Sequence, residues 1–493
     1  MRHKRIASPS TQQGQALPLV LVLLIVLCIG LLVTFNTGQI TGKKVEITNA
    51  ADAAAYSIAV EQARARNLAA YLNRGRVANE VAVAQMVSLN SWVTMVHSTS
   101  ANFQDITKWA KFIPYIGPVI GAIDKALQVV NRALKVLRKN VLIPGFKLAI
   151  GTLDQVLNRA YATTAQVVLS DIANEGNLHA MVGKVVRDNS PGAKVSAAGL
   201  TVLTKDAAQA NNDLSLFKRP QADGLRRTDM GAERYRNVVM ASRDEFSRDR
   251  RTSLGPLGSN GGTDLVEYDR WSGVDVHEFR LNLLFTTIKI PLGWGGTQAV
   301  DQRQPRFFAG MNNGRGWRSP YDNRTYRAYN GVTSRDIAGR LIENDPAAKD
   351  QGFQKREAFF TQYKYGITHP YYDVKEPARG ERVGYAELPE GDKAGPIFTV
   401  EVATEVRNAR SSSAIGVGAG RMALKDEARG GELRAMASAQ VYFNRPHEYA
   451  PFRRSVWGRG DGKFEQGSMF SPYWQARLVK TPPADKLILL AGP

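Results

Sequence analysis

The chain is poor in the residues from which disulfides and cysteine-based metal centres are built. Its 493 residues contain a single cysteine, Cys28, and six histidines. One cysteine excludes an intramolecular disulfide and a metal centre held by several cysteines of one chain. The histidines are dispersed, and no two of them have the spacing of a helical metal motif. The sequence therefore predicts no metal site.

The chain also lacks the motifs of enzymes. We find no nucleophile, acid–base pair or metal cluster in a recognisable spacing. The glycine string at residues 416–420 is not followed by the lysine and hydroxyl residue of a phosphate-binding loop. A loop between two strands is the better interpretation of this string. These absences predict a protein that is not an enzyme, with no catalytic residue and no cofactor.

Acidic residues are outnumbered by basic ones. The chain has 65 Lys and Arg against 45 Asp and Glu, a net charge of +20. Such a charge is typical of proteins that bind nucleic acid, anionic lipid or acidic partners. Here the excess is spread along the chain, which favours a solvated surface beside an anionic membrane. No nucleic-acid partner is expected.

One long apolar run stands out near the start of the chain, at residues 16–33. As a helix it would rise about 27 Å, close to the roughly 30 Å of a hydrocarbon core. A cleaved secretory signal has a similar basic start, but its apolar part spans only about 7–15 residues and ends at a small-residue cleavage site. We therefore predict a retained transmembrane helix at 15–37.

The residues before this run set the expected orientation. Arg2, Lys4 and Arg5 precede it, and the positive-inside rule places such a flank in the cytoplasm. The predicted protein crosses the bacterial inner membrane once. Residues 1–14 would be cytoplasmic, and the bulk of the chain would be periplasmic.

Residues 38–217 have helical patterns and are predicted to form a helical periplasmic region. Ile47, Ala51, Ala54 and Ile58 recur at spacings of four, three and four, which is one helix face. Small side chains on a face permit close approach of another helix. We take Ala51, Ala54 and Ile58 as helix-association candidates, for the chain's own later helices or for a partner's helix. A simple helix with a small core face is the alternative.

Later segments of this region repeat the helical pattern. Leu127, Val130, Leu134 and Leu137 recur at three, four and three, as in an amphipathic helix. The apolar stretch 112–123 is too short to span a membrane and is expected to pack in the core. About five helices are predicted, separated by punctuation at Gly75, 112–118, Pro144 and Gly145, Gly176, and Pro191 and Gly192.

The pattern changes after residue 217. Residues 218–262 are polar and rich in arginine and glycine, and we expect them to form a connector with one helix. In residues 263–493, the stretches 279–285, 398–406 and 433–443 alternate apolar with polar residues, as half-buried strands do. They predict an antiparallel sheet with helices on one side. The predicted fold class is an α+β membrane protein with an N-terminal transmembrane helix, a helical middle and a C-terminal sheet region.

Arginines and aromatic residues alternate between residues 302 and 330. In the cytoplasm this mixture would favour single-stranded nucleic acid. Outside it, cation–π pairs within a loop, or contact with a protein or glycan, are the better interpretations. The candidate partner-binding residues are Arg315, Trp317, Arg318, Tyr321, Arg324 and Tyr326.

The N-terminal strings resemble those of a known family. The apolar run lies between Gln13-Gly14-Gln15-Ala16-Leu17 and Asn49-Ala50-Ala51-Asp52-Ala53-Ala54-Ala55. This combination, over about residues 12–66, resembles the N-terminal region of TadG-like Flp pilus-assembly proteins. The resemblance implies an inner-membrane protein with a large periplasmic portion that is associated with assembly of a Tad-type pilus. Together with the absence of enzyme motifs, it predicts a non-catalytic component of Tad/Flp-type pilus assembly or of a related envelope apparatus. Its implied partners are other pilus or envelope assembly proteins.

Two departures from related patterns limit what the resemblance implies. Type IV prepilins carry glutamate at the fifth position after the cleaved glycine, and that position here is Leu19. The metal string of von Willebrand A modules ends in serine, whereas the nearest match here ends in Phe217. Neither prepilin processing nor metal-dependent adhesion is therefore expected. The alternative function is a membrane-anchored, adhesin-like binding module that recognises a surface or glycan through the arginine and aromatic loop.

Overall fold

The structure, a computed structural model, is organised around one very long helix, α1. Helix α1 spans Ala16–Ala110, 95 residues, which corresponds to about 140 Å at 1.5 Å per residue. Pro18 lies in its first turn, where a missing N–H costs no hydrogen bond, and the next proline along the chain is Pro114. The structure describes residues 16–112, 117–217, 230–267, 270–283, 285–300, 317–318, 325–326, 359–360, 369–374, 387–388, 395–409, 412, 431–444, 464–465 and 467–491.

The next helices run back along α1 in the opposite direction. Thr107 donates to Asp124 (3.1 Å), whereas Gln62 donates to the carbonyl of Ile172 (3.1 Å). As the residue number rises after 117, the contacts therefore move down α1 toward its beginning. These and the later helices are α2 Gly117–Val136, a π-helical segment Leu137–Leu142, α3 Ile143–Gly151, a second π-helical segment Thr152–Asn158, α4 Arg159–Ala173, α5 Glu175–Asn189, α6 Ala197–Asn212, α7 Met230–Ala241, α8 Glu245–Arg248 and α9 Pro483–Ala491.

Two of the predicted helix breaks are wrong. Gly75 lies inside α1, where a Cβ would come within 2.9 Å of the Tyr161 ring of α4. The glycine therefore permits close helix packing rather than ending a helix. Pro144 lies in the first turn of α3, directly after the π-helical segment, and the helix continues through it. The breaks near 112–118 and 191–192 are confirmed, because α1 ends at Ala110 and α5 ends at Asn189.

The strands form two larger sheets and three short ladders in the described part of the chain. The first sheet has the order β1-β12-β13-β15, and the second has the order β3-β4-β5-β6-β9, with only β9 parallel to its neighbour. The strands are β1 Lys194–Val195, β2 Leu214–Phe217, β3 Thr252–Leu254, β4 Leu257–Glu267, β5 Arg270–Leu283, β6 Thr286–Val300, β7 Trp317–Arg318, β8 Thr325–Tyr326, β9 Phe359–Phe360, β10 Tyr371–Val374, β11 Glu387–Leu388, β12 Ile397–Glu405, β13 Glu432–Phe443, β14 Phe464–Glu465 and β15 Trp474–Val479.

The three predicted strands correspond to β5, β12 and β13. Strand β12 differs from the expected half-buried strand, since its residues 398–404 are all buried. Its second face is covered by α6, where Asp206 accepts a hydrogen bond from the Thr399 backbone (2.9 Å). The prediction for β5 extended too far, because Phe285 lies in the turn between β5 and β6 and is exposed.

The two sheets pack at successive levels of α1. One apolar cluster joins α1 residues 47–69 to α4, α5, α6 and the first sheet. A second cluster joins α1 residues 77–87 to Tyr235 of α7 and to Leu265 and Trp271 of the second sheet. Strand β6 approaches α1 very closely, because a Cβ at Gly295 would collide with the carbonyl oxygen of Ser91.

The predicted α+β fold class is confirmed. The chain has one long apolar N-terminal helix, a helical middle and antiparallel sheets in its later part. The expected connector, 218–262, contains α7, α8 and the first strands of the second sheet, and the domain division stays a prediction. The expectation that 112–123 packs in the core is wrong for Phe112, Val119 and Ile123, which are exposed.

Candidate functional site on helix α1

The first part of α1 is apolar and does not pack in the core of the domain. It is the one helix among the described residues that is long and apolar enough to cross a membrane, and none of the residues in its most apolar window is buried. Exposed leucines, valines and isoleucines surround the helix from Leu17 to Val33. A bare apolar helix of this length indicates membrane anchoring. The basic residues Arg2, Lys4 and Arg5 lie outside the described residues.

The folded domain begins almost directly where the apolar run ends. The Asn36 side chain donates to Ser412 Oγ (2.8 Å) and accepts from the Ser412 backbone N–H (2.7 Å). Two turns further on, the Lys43 ammonium contacts Glu46 (2.8 Å) and Ser190 (3.2 Å). The hydrogen bond from Lys43 lowers the pKa of Glu46. The domain is therefore joined to the apolar segment by continuous helix.

The alanine face predicted for helix association lies inside the chain's own core. Ala51, Ala54 and Ile58 are fully buried. They share an apolar cluster with Phe398 of β12 and Ala437 of β13, together with residues of α4, α5 and α6. The surface that covers these alanines is thus built from the same chain, by both strands and helices.

Three polar side chains of α1 bind backbone groups from the far end of the chain. Asn67 donates to the carbonyl of Trp474 and accepts from its N–H, both at 2.9 Å. Asn73 donates to the carbonyl of Met469 (2.8 Å), and Arg76 donates to the carbonyl of His369 (2.8 Å). The only sequence signal for these contacts is the appearance of polar residues on an otherwise apolar helix face.

A buried polar cluster continues this row at Glu80. The Trp271 indole N–H donates to one Glu80 oxygen (3.1 Å), and the Asn158 amide donates to the other (3.2 Å). The nearby Arg76 guanidinium lies 5.1 Å from the centroid of the Tyr235 ring. Burial raises the pKa of Tyr235, which keeps its hydroxyl protonated.

Arg66 is another buried cation of α1. Its guanidinium lies 5.4 Å from the Trp474 ring centroid and 3.5 Å from the carbonyl oxygen of Ala210. Burial lowers the pKa of Arg66 to about 10, with Asp213 acting in the opposite direction. The side chain is therefore still charged at neutral pH. Together with Asn67 it holds the β15 strand against the helix.

A second polar cluster lies between α6, α9 and the first sheet. The Lys205 ammonium contacts Asp206 (3.2 Å) and Asp485. Thr399 donates its N–H to Asp206 (2.9 Å) and its hydroxyl to Asp485 (2.9 Å). Burial, helped by Asp485 and opposed by the Thr399 bond, raises the pKa of Asp206 to about 6. Among the described residues, no three His, Cys, Asp or Glu side chains are grouped to hold a metal ion.

The arginine and aromatic loop is described only in part. Trp317 and Arg318 form β7 and pair with β8, in which Trp317 lies opposite Tyr326. The backbone therefore brings three of the six candidates onto one short ladder. The other three, Arg315, Tyr321 and Arg324, lie outside the described residues.

Comparison with known proteins identifies the first part of α1. Residues 14–67 match the Tad family of TadE/G-like Flp pilus-assembly proteins. No curated protein and no solved structure matches the chain. The matched region includes the apolar segment, Asn36, the alanine face and Asn67. The N-terminal region of the chain is therefore similar to the TadE/G-like proteins of Flp pilus assembly, as its sequence predicted.

Proposed function

We propose that this protein is a non-catalytic inner-membrane component of Tad/Flp-type pilus assembly or a related envelope apparatus. The match of residues 14–67 to the pilus-assembly family carries the proposal. The apolar segment supplies a single membrane anchor, and the basic residues before it favour a cytoplasmic N-terminus. The remainder of the chain would then lie in the periplasm, where the other assembly components are its expected partners.

The geometry of α1 suggests how such a component works. From Asn36 to Ala110 the helix rises about 110 Å, and both larger sheets pack on it. Because membrane segment and core share one helix, the ectodomain is held at a fixed height and angle to its anchor. Displacement of the ectodomain is transmitted to the membrane segment, as expected for a scaffold. The buried polar groups of α1 bind backbone and one another, which is a structural use.

The proposed topology is tested with a reporter that fluoresces only in the cytoplasm. Fused after Pro493, it should remain dark, whereas the same reporter fused before Met1 should be bright. A bright C-terminal fusion would exclude the proposed orientation. A soluble periplasmic product that begins near Gly38 would instead show that the apolar run is a cleaved signal.

The proposed role is tested by piliation. Deletion of the gene should abolish surface pili, and the wild-type chain should restore them. A variant with six Gly and Ser residues inserted after Gly38 should insert in the membrane but fail to restore pili, because the insertion uncouples the anchor from the ectodomain. The same insertion after Ala491 is the control. Normal piliation with lost adhesion in the deletion strain would favour the adhesin-like binding module.

A further inference from the structure

Helix α2 packs on α1 with only one of its faces. Asp124 accepts a hydrogen bond from Thr107 (3.1 Å), and Asn131 donates to Gln104 (2.7 Å). Leu127 lies on the same side and is partly buried. This inner face therefore combines polar and apolar contacts with the last three turns of α1.

The outer face of α2 carries an exposed apolar stripe, here called the α2 seam. Successive residues of the seam, from Val119 to Leu137, are four, three, four, three and four positions apart, which is the pattern of a coiled-coil contact face. Val119, Ile123, Val130 and Leu137 are 65%, 48%, 44% and 40% exposed. An exposed apolar stripe of this kind marks an interaction site. The seam consists of Val119, Ile123, Ala126, Val130, Ala133 and Leu137.

The π-helical segment extends the seam by one turn. Arg138 is buried, whereas Leu137 and Val141 on either side of it are exposed. Arg138 follows Asp124 and Asn131 at spacings of seven and so continues the inner face, while Leu137 and Val141 stay on the exposed side. Such segments inside α-helices are frequent at functional sites.

The position of the seam argues against lipid as its occupant. Thr107, which contacts α2, lies about 107 Å along α1 from Asn36. Helix α2 runs back along α1, and its contacts move from Thr107 to Gln104 as its residue number rises. A helix so far from the anchor cannot lie flat on the membrane that holds the anchor, as amphipathic lipid-binding helices do. A second helix laid along the seam has the required geometry.

The charges on α2 restrict the nature of that helix. Its exposed charged residues are all basic, namely Lys125, Arg132 and Lys135, and its one acidic residue, Asp124, is buried. Lys125 and Arg132 are seven residues apart and lie along one side of α2, next to the exposed Val129 and Val136, which separate them from the seam. A second copy of α2 would bring only basic flanks, whereas acidic flanks would be attracted.

We propose that the α2 seam docks an amphipathic helix of another protein, with an apolar stripe in the same spacing and acidic residues beside it. The seam lies at the end of the ectodomain far from the anchor, and it is separate from the matched region that carries the pilus assignment. A failure of the seam to bind such a helix would therefore leave the proposed role in pilus assembly intact.

The test uses the full chain in phosphatidylcholine nanodiscs and two synthetic 28-residue helical peptides. Both peptides have leucine at the two contact positions of each heptad, and the flanking positions are glutamate in one and lysine in the other. The glutamate peptide should bind about tenfold more tightly than the lysine peptide, a difference of about 1.4 kcal/mol. This preference should weaken as salt is raised.

Variants separate the seam from its flank. Val130→Asp should abolish binding of the glutamate peptide, while Val167→Asp, the same change at an exposed valine of α4, should not. Lys125→Glu with Arg132→Glu should reverse the preference between the peptides and leave the apolar seam intact. Circular dichroism should show unchanged helix content in every variant, so that lost binding is not lost folding.

Three results would overturn the proposal. If the two peptides bound equally well, or if neither bound, an acidic partner helix would be contradicted. Cross-linked dimers of the full chain that Val130→Asp abolishes would identify a second copy as the occupant. Binding to anionic vesicles that depends on Val130, with no binding of either peptide, would identify a lipid surface.

Discussion

Replacing Ala54 with leucine tests whether the alanine face of α1 is a packed core contact. Ala54 is fully buried among residues of the first sheet and of the helices beside it. We expect Ala54→Leu to destabilise the ectodomain, because the added carbons have no space. Membrane insertion should be unchanged, since the substitution lies well outside the apolar segment.

The magnitude follows from two opposing terms. Burying three further carbons would stabilise the fold by about 2 kcal/mol if a cavity were present. In a filled core the neighbours must shift, and such overpacking typically costs about 1–3 kcal/mol. Since the strands and helices around Ala54 are all anchored to α1, we expect the cost to prevail. A loss of about 2 kcal/mol corresponds to a melting temperature lower by roughly 2–6 °C.

The assay is urea unfolding of the detergent-solubilised full chain, with limited proteolysis as an independent measurement. Ala78→Leu is the matched control, because Ala78 is an exposed alanine of the same helix. It should change the free energy of unfolding by less than about 0.5 kcal/mol. If Ala54→Leu and Ala78→Leu behaved alike in both measurements, the alanine face would not be a tight contact and the reasoning would be refuted.

Three further predictions concern buried polar groups. Glu80→Ala leaves two buried donors without their acceptor and should lower the free energy of unfolding by roughly 2–5 kcal/mol in urea titrations, whereas Glu80→Gln should cost less. The raised pKa of Asp206, about 6, means that its stabilising protonated form is lost as pH rises from 4 through 6. Asp206→Asn should therefore flatten the dependence of unfolding free energy on pH over that window and stabilise the protein at pH 7. In the wild-type chain the Arg250 guanidinium lies 2.6 Å from the buried Asp275 carboxylate. Arg250→Met leaves that carboxylate without its cation and should lower the free energy of unfolding by about 3–5 kcal/mol, and adding Asp275→Leu should restore part of this loss.

Local pattern predicted the elements that depend on neighbours in sequence. The apolar run predicts the anchor, because length and composition alone decide whether a helix can span a membrane. Alternation gave β12 and β13, whose observed bounds, Ile397–Glu405 and Glu432–Phe443, lie within one or two residues of the predicted ones. Resemblance of the N-terminal strings gave the family that matches residues 14–67.

The two faces of α2 show where local pattern reaches its limit. The spacing of Leu127, Val130, Leu134 and Leu137 predicts that all four lie on one face of an amphipathic helix. In the structure Leu127 and Leu134 lie toward α1, while Val130 and Leu137 are exposed. The apolar arc of the helix is wider than the surface that α1 covers, and the spacing of residues within α2 cannot say which part is covered.

What the sequence by itself determined is therefore the anchor, the helical character of the region after it and the individual strands, since these follow from composition and from periods of a few residues. Only the tertiary structure decided how α1 is used. It showed that Gly75 admits the Tyr161 ring, and that α6 buries the second face of β12. It also showed that Asn67 and Asn73 hold backbone some 400 residues away, at sequence separations of 407 and 396. These contacts join residues remote in sequence, and their energies depend on which surfaces meet, a property that no local pattern of residues contains.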